Sequence, residues 1–300
     1  MADPAIRVAG LTKYFSAVIG VEELSFDVAQ GEIYGFLGAN GAGKTTTIRL
    51  LLDLLRPSRG RATVLGLDCH RQSLEARRHI GYLPGDFPVY PDLTAEGYLQ
   101  YLAQLDGRPV SRSYLDELLE RFDVSSTDLR RRLRDQSHGM KQKIGIIQAV
   151  MGRAPVLVLD EPTAGLDPLM VQAFRDFLDF LRKPGDTTIF LSSHVLTEVE
   201  ATCDRIGVIR GGRLVASGTI ADLKRDAARR VTVEFREPVN GMLPSIPGVE
   251  FLNRSDRRWV LAMRGPTGPL VESLSNLPVH DLEIEPFKLE DYVARHYAEE

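Results

Sequence analysis

Short apolar runs alternate along most of the chain with stretches in which apolar residues recur every third or fourth position. Continuous runs at Ile33–Leu37 and at residues 156–159 predict strands buried on both faces, as in a parallel sheet. Further strands are predicted at 6–8, at 24–28 with Leu24, Phe26 and Val28 on one face, at 62–68 ending at Gly66, at 80–86 running into a loop, and at 187–191. The stretch between the first two reads as a polar connection holding Lys13, Tyr14, Phe15 and Val21. Ile48, Leu51, Leu52 and Leu55 predict a helix from Lys44, stopped by the run Arg56-Pro57-Ser58-Arg59-Gly60. Another helix is predicted over 71–78.

Residues 94–150 read as a mostly helical insert with Thr94 as its first cap. One stripe is Tyr98, Leu99, Leu102 and Leu105; a second is Leu115, Leu118, Leu119 and Phe122; a third, opening at Gln136, is Ile144, Ile147, Gln148 and Met151. Gly211-Gly212 predicts a two-residue hairpin turn between 206–210 and 213–217. Beyond a linker helix over 219–229 the pattern changes. Strand-like runs at 231–235, 249–252, 259–263 and 282–284, with an amphipathic stretch at 269–277, predict a small α+β domain over 230–300.

Composition narrows the class without naming a chemistry. The chain has 300 residues, 43% hydrophobic and 26% charged, which suits a water-facing globular protein of two domains or of one large domain with an appendage. Its net charge of -4 gives no global attraction to nucleic acid, so none is expected as a partner, and Arg130, Arg131, Arg132 and Arg134 read as a solvated face. Cys69 and Cys203 have neither CxxC spacing nor clustered histidines, which argues against a disulfide framework or zinc site and for reduced cytosolic thiols. No apolar run approaches the roughly 20 residues of a spanning helix. If the protein works at a membrane, another chain supplies the spanning part.

The chemistry-bearing stretch is Gly38-Ala39-Asn40-Gly41-Ala42-Gly43-Lys44-Thr45, set between a predicted strand and a predicted helix. Glycines there let successive backbone N–H groups turn inward around a polyphosphate, and the helix N-terminus adds its positive end. Lys44 then reaches the β- and γ-phosphates, Thr45 offers a hydroxyl to Mg²⁺, and Thr46 bonds the α-phosphate. Tyr14 reads either as an adenine-stacking ring or as a partly buried loop residue, and Val21 is assigned to the nucleotide site beside it. Ser137 and Gly139 at a helix start read as a second anion site or as a plain N-cap. Asp160 and Glu161 end the buried run at 156–159, where ligands bind in open α/β sheets. Asp160 is assigned to the magnesium shell, and Glu161 to orienting or deprotonating a water for attack on the γ-phosphate. His194, leaving another strand at that edge, is assigned a γ-phosphate contact.

This ordered set resembles the nucleotide-binding subunit of ABC transporters over residues 5–220. The matching motifs are the phosphate loop at 38–45, a signature region at 136–140, a Walker B strand at 156–160 followed by Glu161, the Ala164-Gly165-Leu166-Asp167 loop, and a switch histidine at His194. The resemblance implies a P-loop ABC-type α/β ATPase core over 1–218, with an antiparallel β subdomain and a helical subdomain at about 94–150. It implies ATP and Mg²⁺ as ligands, hydrolysis carried by Glu161, His194 and Lys44, and a head-to-tail homodimer or ABC heterodimer. In that dimer Ser137 and Gly139 contact the γ-phosphate held by the opposite chain, and Asp167 crosses the interface.

Two positions depart from the family pattern. His138 stands where the signature usually has glycine, and Gly85 where a magnesium-contacting glutamine is usual, leaving Asp86 or water to substitute. Ser-x-Gly-Met-Lys-Gln and Leu-Pro-Gly are similar to the bacterial exporter branch that includes antibiotic-resistance and drug-efflux ATPases. That branch implies a separate integral-membrane permease at the cytoplasmic face of the cell membrane, whose coupling helix meets the loop 85–95, where Phe87, Val89 and Tyr90 either supply apolar contacts or pack internally. It also implies a terminal helix at 289–294 and a dimer-stabilising role for the last domain. A soluble ABC-type ATPase would carry two cassettes or a long insertion, and a nucleotide-gated regulatory subunit would not need Glu161 and His194; both are rival readings.

Overall fold

A computed structural model describes residues 3–85, 90–182, 187–226, 228–239 and 246–285. The chain divides into two compact units, Met1–Ser217 and Gly218–Glu300. The first opens with two long strands, β1 (Ile6–Phe15) and β2 (Val18–Val28), paired antiparallel. The connection expected around Lys13 to Val21 is therefore strand. Register shifts after Val8, Leu11 and Lys13, together with positive φ at Gly10 and Glu23, break the two-residue alternation that would have revealed it.

β3 (Ile33–Leu37) is buried throughout and runs into α1 (Lys44–Leu51). Leu55 lies beyond that helix, which gives way at Leu52 and Asp53. The strand expected at 62–68 is two strands, β4 (Arg59–Val64) and β5 (Leu67–Asp68), folded back at Leu65 and Gly66, both of positive φ. With β1 and β2 they make an antiparallel sheet of order β2-β1-β4-β5.

After α2 (Ser73–Arg78) and β6 (Ile80–Leu83) comes the helical part: α3 (Ala95–Asp106), α4 (Arg112–Arg121), α5 (Ser126–Arg130) and α6 (His138–Val150). Thr94 Oγ1 accepts from the Gly97 amide, so the predicted cap is present, and α3 stops at Gly107 in the left-handed region. Leu105, assigned to the first stripe, is 64% exposed because α3 buries only its first turns. Then follow β7 (Val156–Asp160), α7 (Pro168–Arg182), β8 (Thr188–Ser193), α8 (Leu196–Thr202), β9 (Arg205–Arg210) and β10 (Arg213–Thr219).

The second sheet has the order β10-β9-β3-β8-β7-β6, and β9, β3, β8, β7 and β6 run parallel. Leu37 lies opposite Ser193 and Asp160 opposite Ser192, so the carboxyl ends of β3, β7 and β8 share one edge. Between this sheet and the antiparallel one lies a continuous core, with Phe26, Tyr34 and Phe190 stacked at centroid distances of 5.5 to 5.9 Å. That core fixes β3 beneath the glycine loop. No helix among the described residues is long and apolar enough to cross a membrane.

The second unit begins with α9 (Ile220–Asp226) and forms an antiparallel sheet from β11 (Arg229–Phe235), β12 (Val249–Arg254), β13 (Arg258–Met263) and β14 (Val279–Ile284), in the order β12-β13-β11-β14. Leu270 and Leu274 of α10 (Gly268–Leu274) pack on it. Trp259 is fully buried there, edge-on to Phe235 and Phe251, with the Arg254 guanidinium 5.2 Å from its ring. Its indole N–H meets no acceptor among the described residues. Asp86, Phe87, Val89 and the terminal helix at 289–294 lie outside the described residues.

Candidate nucleotide site

The common strand edge opens into a cleft of about 740 Å³. Its floor is the glycine loop, where Gly41 and Gly43 have φ of 80° and 113°. A Cβ on Gly43 would come within 2.7 Å of the Gly20 carbonyl, so the close approach of loop to β2 requires glycine. Val21 is fully buried beneath that point. It packs under the loop and does not line the cleft. Gly38 and Ala42 likewise support it from below, Gly38 by accepting from Lys44 and Ala42 by accepting from the Gly212 amide.

Lys44 is 6% exposed, and its ammonium donates to the carbonyls of Gly38, at 2.6 Å, and Ala39, at 3.3 Å. It also lies 3.1 Å from Glu161 Oε1. The second carboxylate oxygen of Glu161 is 2.7 Å from His194 Nδ1. One carboxylate thus sits between a buried ammonium and an imidazole. Thr45 donates its hydroxyl to Asp160 Oδ2 at 3.0 Å, and Ser192 donates to Asp160 Oδ1 at 2.5 Å. Thr45 and Asp160 together present hard oxygen donors at the cleft floor, the donor type Mg²⁺ takes. Burial and the Asp160 carboxylate push the nearby Tyr82 phenol up to about 12, so it stays neutral.

The structure brings Ala39, Asn40, Gly41, Gly43, Lys44, Thr45, Thr46, Asp160, Glu161 and His194 into one cleft. Tyr14 is not in that set. On a strand, neighbouring side chains face opposite ways: Tyr14 turns its hydroxyl to Glu22 Oε1 at 3.1 Å, while Phe15 lines the cleft with Val18, Ile19 and Gly20. The aromatic signal was present in the sequence, one residue further on. Burial and the Glu22 bond hold the Tyr14 phenol above its usual range, the bond being the larger cause.

Ser137, Gly139 and Asp167 do not line this cleft either. Ser137 caps α6 by accepting from the Met140 amide, and Asp167 accepts from the Met170 amide at the start of α7. Gly85 reaches the cleft beside Asp160, and a Cβ there would lie 3.3 Å from the carboxylate. Ser192 is the functional residue that pattern reading passed over. It is fully buried, and besides bonding Asp160 it accepts from the Glu161 amide at 3.1 Å. Its only sequence signal is a polar side chain at the end of an apolar strand.

Residues 21–164 match the ABC transporter family model. Bacitracin transport ATP-binding protein BcrA of Bacillus licheniformis is 38% identical over 77% of this chain and 74% of its own. The chain belongs to the ABC transporter family. It is of the ATP-binding, ATP-hydrolysing type, an ABC ATPase. Daunorubicin resistance ATP-binding protein DrrA3 of Streptomyces coeruleorubidus is 35% identical over 98% of this ABC ATPase and 93% of its own length, so the similarity extends through the second unit. A solved ATP-binding subunit of an ABC transporter superposes with a TM-score of 0.67 at 32% identity, covering 74% of this chain and 92% of that one. A dimeric ATP-binding cassette bound to ADP and Pi shares the fold, with a TM-score of 0.66 at 18% identity over 72% of this chain and 98% of that one.

Proposed function

We propose that this ABC ATPase powers export of a drug-like, lipid or other small molecule through a separately encoded integral-membrane permease, docked at the cytoplasmic face of the membrane. Two relatives whose names carry bacitracin transport and daunorubicin resistance support the exporter reading. The observation that carries the chemistry is the ordering of Lys44 and His194 around the Glu161 carboxylate, beside Thr45 and Asp160.

ATP lies with its phosphates over the glycine loop, against the α1 N-terminus. Thr45 and Asp160 would hold Mg²⁺, whose chemistry there would be to neutralise phosphate charge. Lys44 faces the β- and γ-phosphates, where its buried ammonium stabilises charge developing in the transition state. Glu161 accepts the proton of the attacking water as oxygen adds in line to phosphorus and the bond to the β-phosphate oxygen breaks. His194 orients that carboxylate and the γ-phosphate. Ser137, Gly139 and Asp167, which are not among the residues lining this cleft, serve the cleft of a second chain, in a homodimer or with another ABC subunit.

The test is ATP turnover per chain against protein concentration, with and without Glu161→Gln. Composite sites require the specific rate to rise with concentration and collapse in the variant. A constant rate at all concentrations defeats the paired-site part. Co-isolation of the full chain with a permease, and ATP-dependent extrusion by the pair, tests the exporter part.

A further inference from the structure

We propose that Gln142, with His138 one turn before it, is a positioning residue that holds the backbone of Glu161 in the conformation hydrolysis needs; this rests on Glu161 being the catalytic carboxylate. Glu161 has φ of 50°, in the left-handed region a non-glycine residue enters only when its surroundings hold it there. Its amide is held from β8, donating to the carbonyl of Ser192 at 3.2 Å and to its hydroxyl at 3.1 Å.

Its other side is held from α6. Gln142, 3% exposed, donates its carboxamide to the carbonyl of Glu161 at 3.3 Å and to that of Pro162 at 2.9 Å. Among the described residues no other donor reaches the Pro162 carbonyl. Four residues earlier, on the same helix face, His138 lies against Gly165, whose φ is 77°. A Cβ on Gly165 would overlap the imidazole. The first turns of α6 thus grip residues 161–165 at both ends. Ser137 caps the same turn, so a pull on Ser137 reaches the peptide of Glu161 through little more than one turn of helix.

A donor that acts by orienting a carboxylate affects turnover and not substrate binding. The experiment compares the full chain with Gln142→Met, which keeps the volume and removes the donor, with His138→Ala, an exposed change, with Glu161→Gln, and with the Gln142→Met/Glu161→Gln double variant. Readouts are kcat and KM for ATP, affinity for a fluorescent ATP analogue, and the melting midpoint. Gln142→Met is expected to lower kcat between about tenfold and 100-fold. His138→Ala should lower it about threefold, a smaller loss because it removes packing and no hydrogen bond. KM, analogue affinity and melting are expected to stay put, and the double variant to turn over no more slowly than Glu161→Gln alone.

An unchanged kcat in Gln142→Met overturns the proposal, as does a loss that tracks KM or melting, or a double variant slower than its Glu161→Gln parent. Should Gln142→Met not fold, an unchanged kcat in His138→Ala overturns it. A Glu161→Gln variant that turns over at close to the wild-type rate overturns the assignment of Glu161 itself, and the positioning role with it.

Discussion

The phosphate loop and the loop after β7 face the same cleft but are held by different means. The phosphate loop draws part of its support from itself: Lys44 bonds Gly38 and Ala39, and Thr47 bonds Gly43 through both its amide and its hydroxyl, all within ten residues. Asp160, Ser193 and Gly212 tie it to neighbouring strand ends. The loop from Glu161 to Gly165 leans on strangers. Gln142 holds it from α6, Ser192 from β8, and Thr163 donates to Glu198 of α8 at 2.5 Å. A binding element can be built partly from its own residues, whereas a carboxylate that must act on a bound phosphate is aimed by several elements at once.

The largest break in that contrast is at Glu161. Glu161→Gln is expected to reduce kcat by about 10²–10⁴-fold while ATP affinity changes little, since Lys44 loses its Glu161 ion pair but keeps its bonds to Gly38 and Ala39. Turnover and nucleotide titration on one preparation check it. Ser192→Ala comes next. It removes a hydroxyl shared by Asp160 and the Glu161 amide, so the Mg²⁺ concentration for half-maximal turnover should rise by about 10- to 100-fold. A magnesium titration separates this shift from the fall in kcat at saturation that loosening the Glu161 amide also brings.

Phe15→Ala sharpens the comparison on the binding side, weakening ATP by roughly 1–3 kcal/mol if the ring carries the base, with Tyr14→Ala near neutral. Equal effects at both positions would sink that assignment.

The smallest effect is Tyr34→Phe, beneath the phosphate loop. At neutral pH it removes one 3.3 Å bond to Ser217, worth about 1 kcal/mol. Burial, outweighing the Ser217 bond and Arg205, pushes the Tyr34 phenol from 10.0 up to about 12. A raised folded-state value gives stability that is complete below pH 10 and lost as pH rises toward 12. The wild type should therefore lose stability relative to Tyr34→Phe across that window. Denaturant midpoints at paired pH values read the difference.

Legibility in the sequence follows the same division. That Ala39 to Gly41, Gly43 to Thr46, Asp160, Glu161 and His194 meet in one cleft could be read because they sit in contiguous motifs at the ends of apolar strands. The parallel order was readable from strands buried on both faces, such as β3 and β7. The β1–β2 hairpin was hidden because bulges erase period-two alternation. Tyr14 displaced Phe15 because strand facing is decided by register, which that bulged pairing resets. Ser192 showed only as a polar side chain ending an apolar strand and Gln142 only as the last residue of Ser-x-Gly-Met-Lys-Gln, and neither sequence signal named a partner, since those partners lie 19 to 32 residues away.

The indole of Trp259 has a use beyond packing. It is the chain's one tryptophan, fully buried in the second unit among Phe235, Phe251 and the Arg254 guanidinium. Intrinsic tryptophan emission therefore comes solely from residues beyond Ser217, and the ATPase unit is dark at those wavelengths. Red-shifting fluorescence on denaturation will time the opening of the small unit alone. A nucleotide-linked change in emission would be a signal transmitted from one unit to the other, readable without any attached dye.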